Sequence, residues 1–193
     1  FKFNKKLYRM YFSFEKRDKQ NKNFTIIKSA ISKNCNQWFI EKGSRIESLQ
    51  DKRFCRFLSP SLIKIEKFYR MYFEARTIYK KAVIKSAISK DGFIWSEEPG
   101  VRIGKSNKYS YGTPFCLQRK KNYFELFYEK RTNNKRDIWC VKSTDGFNFD
   151  ETKSFSVIKQ DSMLENYCIT GPDVDYSNDC YQMYYSGWGG NPV

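Results

Sequence analysis

The heptapeptide IKSAISK at residues 27–33 returns unchanged at residues 84–90. Upstream of both copies stands the pentapeptide YRMYF, at 8–12 and at 69–73. Chance does not place two matches of this length, in the same order, within one chain of 193 residues. The chain therefore contains an internal repeat, and the length of that repeat decides which fold is expected.

Two looser copies follow, FELFYEKR at 124–131 and YQMYYSGW at 181–188. The four copies, which we call units 1 to 4, lie 61, 55 and 57 residues apart at their anchor positions, Met10, Met71, Leu126 and Met183. A proline motif precedes each of the last three copies: LSPSLI at 58–63, GTPFCL at 112–117 and TGPDVD at 170–175.

Each unit holds several short runs rich in Tyr, Phe, Ile and Val, separated by Gly, Asn, Asp or Pro. This pattern indicates strands and turns, and the Asp-Gly pairs at 91–92 and 145–146 are typical of tight turns. About four strands in each repeat predict an all-β fold, a β-propeller in which each unit forms one blade. A plain β-sandwich with a coincidental repeat is the alternative.

The repeat predicts a single propeller domain over residues 1–193. Its blades are expected at about 7–48, 58–104, 112–160 and 169–193. The strand nearest the axis is expected to be missing from unit 1, and unit 4 has only two strands, so about three and a half blades result. A closed propeller needs at least about four blades. The count therefore predicts an open arc, a fragment of a longer protein, which self-associates through unpaired edge strands.

The net charge of +15 raises the question of nucleic-acid binding. The basic residues are spread over every unit, and the abundance of Lys, Asn, Ile, Phe and Tyr is typical of an A/T-rich genome. We therefore expect no specific nucleic-acid partner, only a weak attraction of the charge to acidic polymers. No apolar run reaches the roughly 18 residues of a membrane span.

The chain has six cysteines and no histidine. The cysteines lack CxxC spacing and stand mostly in strand-like runs, which favours buried free thiols and a reducing, cytoplasmic location. Without histidine, the chain cannot supply a Ser-His-Asp or Cys-His pair or a histidine-ligated zinc site. We expect no metal or other cofactor, and any chemistry would depend on carboxylates.

These units resemble the blades of the five-bladed propeller superfamily of glycoside hydrolases, which includes arabinanases, xylosidases, invertases and levansucrases. The resemblance rests on the proline motif, on YRMYF, and on IKSAISKDG with a Trp after the turn; residues 69–103 carry it best. It implies a propeller fold, a carbohydrate ligand, and three catalytic acids just before the innermost strands. SKDGFIW at 89–95 also resembles a shortened sialidase Asp box, a structural turn.

The positions that match those three acids hold no acid here: Leu58-Ser59, Gly112-Thr113 and Thr170-Gly171. Three hypotheses remain open. The first is a glycoside-hydrolase-like propeller that binds or processes a glycan. The second is a catalytically inactive glycan-binding or scaffold propeller in surface-polysaccharide metabolism. The third is a basic scaffold for an acidic polymer.

Other acids could reach the same end of the axis, because antiparallel pairing brings the end of a second strand near the start of the first. Glu74 and Glu129 are the candidate catalytic residues. Each stands two residues before an arginine, so an ion pair is their alternative role. The candidate sugar-binding residues are polar or aromatic side chains near the proline motifs: Ser59, Arg76, Tyr111, Thr113, Arg131, Glu165, Asp173 and Trp188. For the two aromatics, core packing is the alternative.

Overall fold

The computed structural model describes residues 2–4, 7–17, 23–105, 108–132, 135–160 and 168–189. Across these ranges the regular structure is strand, apart from one short 3-10 helix at Glu151–Lys153. The all-β class expected from the repeat is confirmed.

The strands follow the repeat units. Unit 1 contains β1 (Lys2–Asn4), β2 (Leu7–Arg17), β3 (Asn23–Ser32) and β4 (Phe39–Ile40). Unit 2 contains β5 (Phe54–Ile65), β6 (Phe68–Thr77), β7 (Ala82–Ser89) and β8 (Ser96–Glu97). Unit 3 contains β9 (Ser110–Lys120), β10 (Tyr123–Arg131), β11 (Arg136–Ser143) and β12 (Phe155–Ile158). Unit 4 contains β13 (Cys168–Ser177) and β14 (Cys180–Trp188).

Within every unit, strands that follow one another in the chain pair antiparallel. Units 3 and 4 form separate sheets of four and two strands, whereas units 1 and 2 share one eight-stranded sheet. A single parallel residue pair, Thr25 with Arg56, joins these two units. Each unit is therefore an antiparallel meander of its own, and the shared sheet depends on one contact between β3 and β5.

Strand β1 corrects one expectation about unit 1. The strand nearest the axis was expected to be missing, but Lys2–Asn4 pairs antiparallel with the start of β2. Strand β1 precedes β2 in the same way that β5 precedes β6, so β1 is the counterpart of the innermost strand. The chain therefore supplies three residues of that strand. The physical reason is that a hairpin connection takes only a few residues, so the residues just before Leu7 already belong to the preceding strand.

The hydrophobic core lies between consecutive units. Met71 and Phe73 of β6 pack with Ile27 and Ile46 of unit 1, and Tyr72, on the opposite face of β6, packs with the core of unit 3. Both faces of β6 are therefore buried, as its apolar sequence predicts for a strand between two sheets. Burial on both faces orders the units side by side and brings their proline motifs to one axis.

The Asp-Gly turns join neighbouring units. In unit 2, the Asp91 carboxylate accepts the N–H groups of Phe93 and Ile94 at 2.8 and 2.9 Å, and Gly92 has φ +67°. The expected tight turn is thus confirmed. Its Gly92 carbonyl accepts the hydroxyl of Tyr11 from unit 1 at 2.7 Å.

The same contact recurs one unit later, where the Tyr72 hydroxyl donates to the Gly146 carbonyl at 2.6 Å. Arginines reinforce both turns, since Arg9 and Arg70 donate to the carbonyls of Asp91 and Asp145. We call this set of hydrogen bonds the turn clamp. It links units 1 and 2 and units 2 and 3 through main-chain oxygens.

The cysteines are all free thiols. Cys116, Cys140 and Cys168 are buried, whereas Cys35 and Cys180 are exposed. Burial raises the pKa of the Cys116 and Cys140 thiols to about 12. The expectation of buried thiols therefore holds for three of the six, and the raised pKa of Cys116 and Cys140 disfavours the reactive thiolate form.

Candidate functional site

The three proline motifs share an unusual backbone conformation. Ser59, Thr113 and Gly171, each directly before the proline, have φ values of +50°, +43° and +66°. Each lies where the pairing of the innermost strand with the next one is interrupted. The left-handed conformation costs a residue with a side chain about 1–2 kcal/mol. Ser59 and Thr113 carry this strain, whereas Gly171 adopts the same conformation without it. Such strain is concentrated at functional sites, which marks these turns as a candidate site.

The three turns line one cavity of about 650 Å³. Its polar lining includes the side chains of Ser59, Thr113 and Asp173, and unit 1 adds the rings of Tyr11 and Trp38. The volume lies within the range of small-ligand pockets, which combine apolar walls with a few polar groups. Asp173 is the one acidic residue that the lining contains among the residues that the structure describes. The basic residue Arg9 also belongs to the lining. This axial cavity is therefore suited to a hydroxyl-bearing ligand with an apolar face.

Glu74 and Glu129 lie behind the turns in a buried ion-pair network. Arg131 bridges them, with Nη1 at 2.9 Å and Nη2 at 3.0 Å from the Glu74 carboxylate, and Nη2 at 2.7 Å from Glu129 Oε2. Arg76 also donates from Nε to Glu74 Oε1 at 2.8 Å. Glu74 comes from unit 2 and Arg131 from unit 3, so the network joins two units.

Thr113 connects this network to the axial cavity. Its N–H donates to Glu74 Oε2 at 3.3 Å, and its hydroxyl donates to Glu129 Oε2 at 3.4 Å. Thr170 of unit 4 donates its hydroxyl to the same Glu129 oxygen at 3.0 Å. The two glutamates thus hold the turns of units 3 and 4 in place through their hydrogen bonds.

The charges of the network determine how its groups ionise. Burial alone would raise the pKa of Glu74, but the positive charges and hydrogen bonds of Arg131 and Arg76 outweigh it and lower that pKa. Burial alone would lower the pKa of Arg131, but Glu129 and Glu74 outweigh it and raise that pKa. Glu74 is therefore an ionised carboxylate at neutral pH and cannot act there as a proton donor.

The remaining candidate residues have different surroundings. Tyr111 is buried in the core between units 2 and 3, edge-on to Tyr109 and Tyr128, and burial raises its pKa to about 12. Trp188 is exposed at the end of β14. Neither belongs to the lining of the axial cavity. Glu165 lies outside the described residues.

Sequence reasoning missed the contribution of unit 1 to the cavity. Trp38 ends the turn segment of unit 1 and Tyr11 belongs to the repeated pentapeptide, and neither was among the candidate residues. The sequence signal was the repeat itself, in which Trp38 corresponds to Trp95 and Tyr11 to Tyr72. Within the described residues, no three His, Cys, Asp or Glu side chains lie close enough to hold a metal ion. The described part of the chain also has no helix with the length and apolarity of a membrane span.

No family model and no curated protein matches this chain. Solved structures do match it. A thermostable family-43 glycoside hydrolase aligns with 96% of the chain at 15% identity and a TM-score of 0.76. The β-1,2-mannobiose phosphorylase of Listeria innocua aligns with 86% at 12% identity and a TM-score of 0.72. A β-fructofuranosidase of Bombyx mori aligns with 98% at 14% identity and a TM-score of 0.73.

The chain has a β-propeller, glycoside-hydrolase-like fold. This confirms the resemblance found in the repeat, at the level of the fold alone, because the identities are low. The propeller described here spans 62%, 46% and 40% of the length of those three structures. The number of blades stays a prediction.

Proposed function

We propose that this chain is a glycan-binding propeller and that the sugar binds in the axial cavity at the three proline-led turns. The observation that carries the proposal is the convergence of Ser59, Thr113 and Asp173 with two aromatic rings in one cavity at a repeated, strained turn. Hydroxyl and carboxylate groups hydrogen-bond to sugar hydroxyls, and an aromatic ring covers the apolar face of a sugar.

The proteins of similar fold support a glycan as the ligand class. One solved structure is a complex of the Listeria innocua phosphorylase with β-1,2-mannobiose. Another is a complex of a Bombyx mori β-fructofuranosidase variant with sucrose. A carbohydrate is accordingly the first ligand class to test on this chain.

Binding without hydrolysis agrees best with the carboxylates. Glycoside hydrolysis uses two carboxyl groups that flank the scissile bond, one of them a general acid with a raised pKa. Asp173 is the only carboxylate of the described residues in the cavity lining, and the pKa of Glu74 is lowered. Glu74 and Glu129 would then serve to position the turns. If turnover is observed, they remain the first residues to test as catalysts.

The binding proposal can be tested by saturation-transfer NMR with β-1,2-mannobiose, arabinobiose, xylobiose and sucrose. We expect at least one disaccharide to bind, and we expect Asp173→Asn and Trp38→Ala to weaken it about tenfold or more. A lost hydrogen bond to a charged group is worth about 1.5–3 kcal/mol. Tyr79→Ala, at an exposed position outside the cavity lining, is the matched control.

Two outcomes would contradict the proposal. One is that no sugar binds, or that both cavity variants bind like the unmodified chain. The other is hydrolysis of aryl arabinosides, xylosides or fructosides that disappears in Glu74→Gln or Glu129→Gln. That second outcome would establish a glycosidase with these glutamates in catalytic roles.

A further inference from the structure

Unit 1 lacks a carboxylate that units 2 and 3 have at the same position of the repeat. Three residues after the anchor stand Ser13 in unit 1, Glu74 in unit 2 and Glu129 in unit 3. Two residues further on, units 2 and 3 have Arg76 and Arg131. The junction between units 2 and 3 therefore shows what surrounds a carboxylate at this position.

At that junction, the carboxylate belongs to unit 2, and unit 3 supplies three of its hydrogen bonds in addition to those from Arg76. Glu74 accepts two hydrogen bonds from Arg131 and one from the N–H of Thr113, all in unit 3. The position is almost inaccessible to solvent, since Glu74 is 1% exposed. A guanidinium and a main-chain N–H thus form a carboxylate site between two units.

The junction between units 1 and 2 has the counterparts of both donor residues at the equivalent positions of the repeat. The N–H of Ser59, the repeat counterpart of Thr113, donates to Ser13 Oγ at 2.9 Å. Arg76, the counterpart of Arg131, uses Nε and Nη2 on Glu74 of its own strand. Its Nη1 has no hydrogen-bond partner among the residues that the structure describes.

At the junction of units 1 and 2, the hydrogen-bond acceptor is the hydroxyl group of Ser13. It is shorter than the side chain of Glu74 and carries no charge. A serine side chain lacks the carboxyl group of glutamate, so the atoms of Ser13 neither supply that carboxylate nor fill its volume. The site is exposed where its counterpart is buried, because the hydrogen bond between Ser59 and Ser13 lies at the surface. Ser59 also lines the axial cavity, so the two sites adjoin.

We propose that the junction of Ser13, Ser59 and Arg76 binds the carboxylate of an acidic sugar, a uronic acid residue of the glycan in the axial cavity. The inference rests on the proposed function and narrows its ligand class. The ligand carboxylate takes the place that Glu74 occupies one unit later. The net charge of +15 also favours an acidic sugar as the ligand, because a positively charged protein attracts anionic glycans more than neutral ones.

The test compares D-glucuronate with D-glucose, two probes of one ring shape, by NMR titration of the whole chain. We expect glucuronate to bind at least tenfold more tightly than glucose. Ser13→Glu restores the carboxylate of the repeat, so we expect it to abolish the preference and to raise the melting temperature by several degrees. Ser13→Ala leaves the volume open, and we expect it to retain the preference.

The neutral control for charge is Ser13→Gln, which has the size of glutamate. It should block the site without the rise in melting temperature. The inference is overturned if glucose binds as tightly as glucuronate, if Ser13→Glu binds glucuronate like the unmodified chain, or if acetate displaces glucuronate at equal concentration. Acetate competition would mean a simple anion site.

Failure of this inference differs from failure of the proposed function. If neutral disaccharides bind and respond to Asp173→Asn while glucuronate has no advantage, the axial cavity binds glycans but the junction is not a carboxylate site. If neither neutral nor acidic sugars bind, both proposals fall.

Discussion

At the scale of single residues, Glu74 illustrates why a buried ion pair is costly to break. Its carboxylate accepts hydrogen bonds from Arg131 and Arg76, and the residue is almost fully buried. Removal of one partner from such a pair leaves the other charge buried without compensation, at a cost of about 3–5 kcal/mol. Arg131 would keep Glu129 as a partner, which places the cost at the lower end.

We expect Glu74→Gln to lower the free energy of unfolding by about 3 kcal/mol at pH 7. The folded pKa of Glu74 lies below its unfolded value of about 4.3. The stabilisation from the ion pair is therefore fully present above the unfolded pKa. It is lost as the pH falls through the folded value. The difference between the two chains should therefore shrink between pH 5 and pH 3, as measured by urea unfolding.

The control for this measurement is Glu66→Gln, which removes an exposed ion pair with Lys121. Exposed pairs contribute about 0–1 kcal/mol, so we expect almost no change at either pH. A constant difference between Glu74→Gln and the unmodified chain from pH 7 to pH 3 would contradict the ion-pair assignment.

At the scale of the element, the turn clamp explains how consecutive units stay in register. Three equivalent tyrosines differ in what their hydroxyls contact. Tyr72 donates to the Gly146 carbonyl, Tyr11 donates to Gly92, and Tyr184 has no hydrogen-bond partner in the described residues. The Gly92 carbonyl also accepts the indole N–H of Trp95. The three equivalent tyrosines thus differ in how much of a carbonyl's hydrogen bonding depends on their hydroxyl group.

Replacement of each tyrosine by phenylalanine should destabilise the chain in the order Tyr72, Tyr11, Tyr184. We expect about 1–3 kcal/mol for Tyr72→Phe, because a buried carbonyl loses its donor. Tyr11→Phe should cost about 0.5–1 kcal/mol, since Trp95 still donates to Gly92. Tyr184→Phe should be neutral within error. Equal losses for all three in thermal unfolding would show that the hydroxyls contribute nothing specific.

At the scale of the whole molecule, the outer units expose side chains that the inner unit buries. Met10 is 40% exposed although its counterpart Met71 is fully buried, and Tyr184 is 67% exposed although its counterpart Tyr72 is fully buried. Exposed apolar surface and open strand edges promote association. The charge of +15 opposes association, because like charges repel.

We expect the 193-residue chain to self-associate, and to do so more strongly as salt screens the repulsion. Sedimentation at 50 and 500 mM NaCl measures this directly. Met10→Lys and Tyr184→Lys should reduce the association. The control is Tyr79→Lys at an exposed turn, which adds the same charge and should leave the association unchanged. A monodisperse monomer at both salt concentrations would refute the expectation of open edges.

Local features of this protein could be predicted from the sequence by itself. The repeat, the strand runs and the Asp-Gly turns follow from side-chain chemistry within a few residues of each position. The all-β class and the propeller-like fold follow from the period of the repeat. The absence of acids at Ser59, Thr113 and Gly171 was also visible, and it bears directly on the function.

Only the tertiary structure decided what each repeated residue contacts. YRMYF occurs in β2 and in β6, yet Met10 is half exposed and Met71 is in the core, because different units flank the two strands. Likewise, an ion pair with Arg76 was the alternative role considered for Glu74, and Glu74 pairs with Arg76 and also with Arg131 of the next unit. Burial and charge pairing depend on neighbours distant in the chain, and a repeated sequence alone does not specify those neighbours.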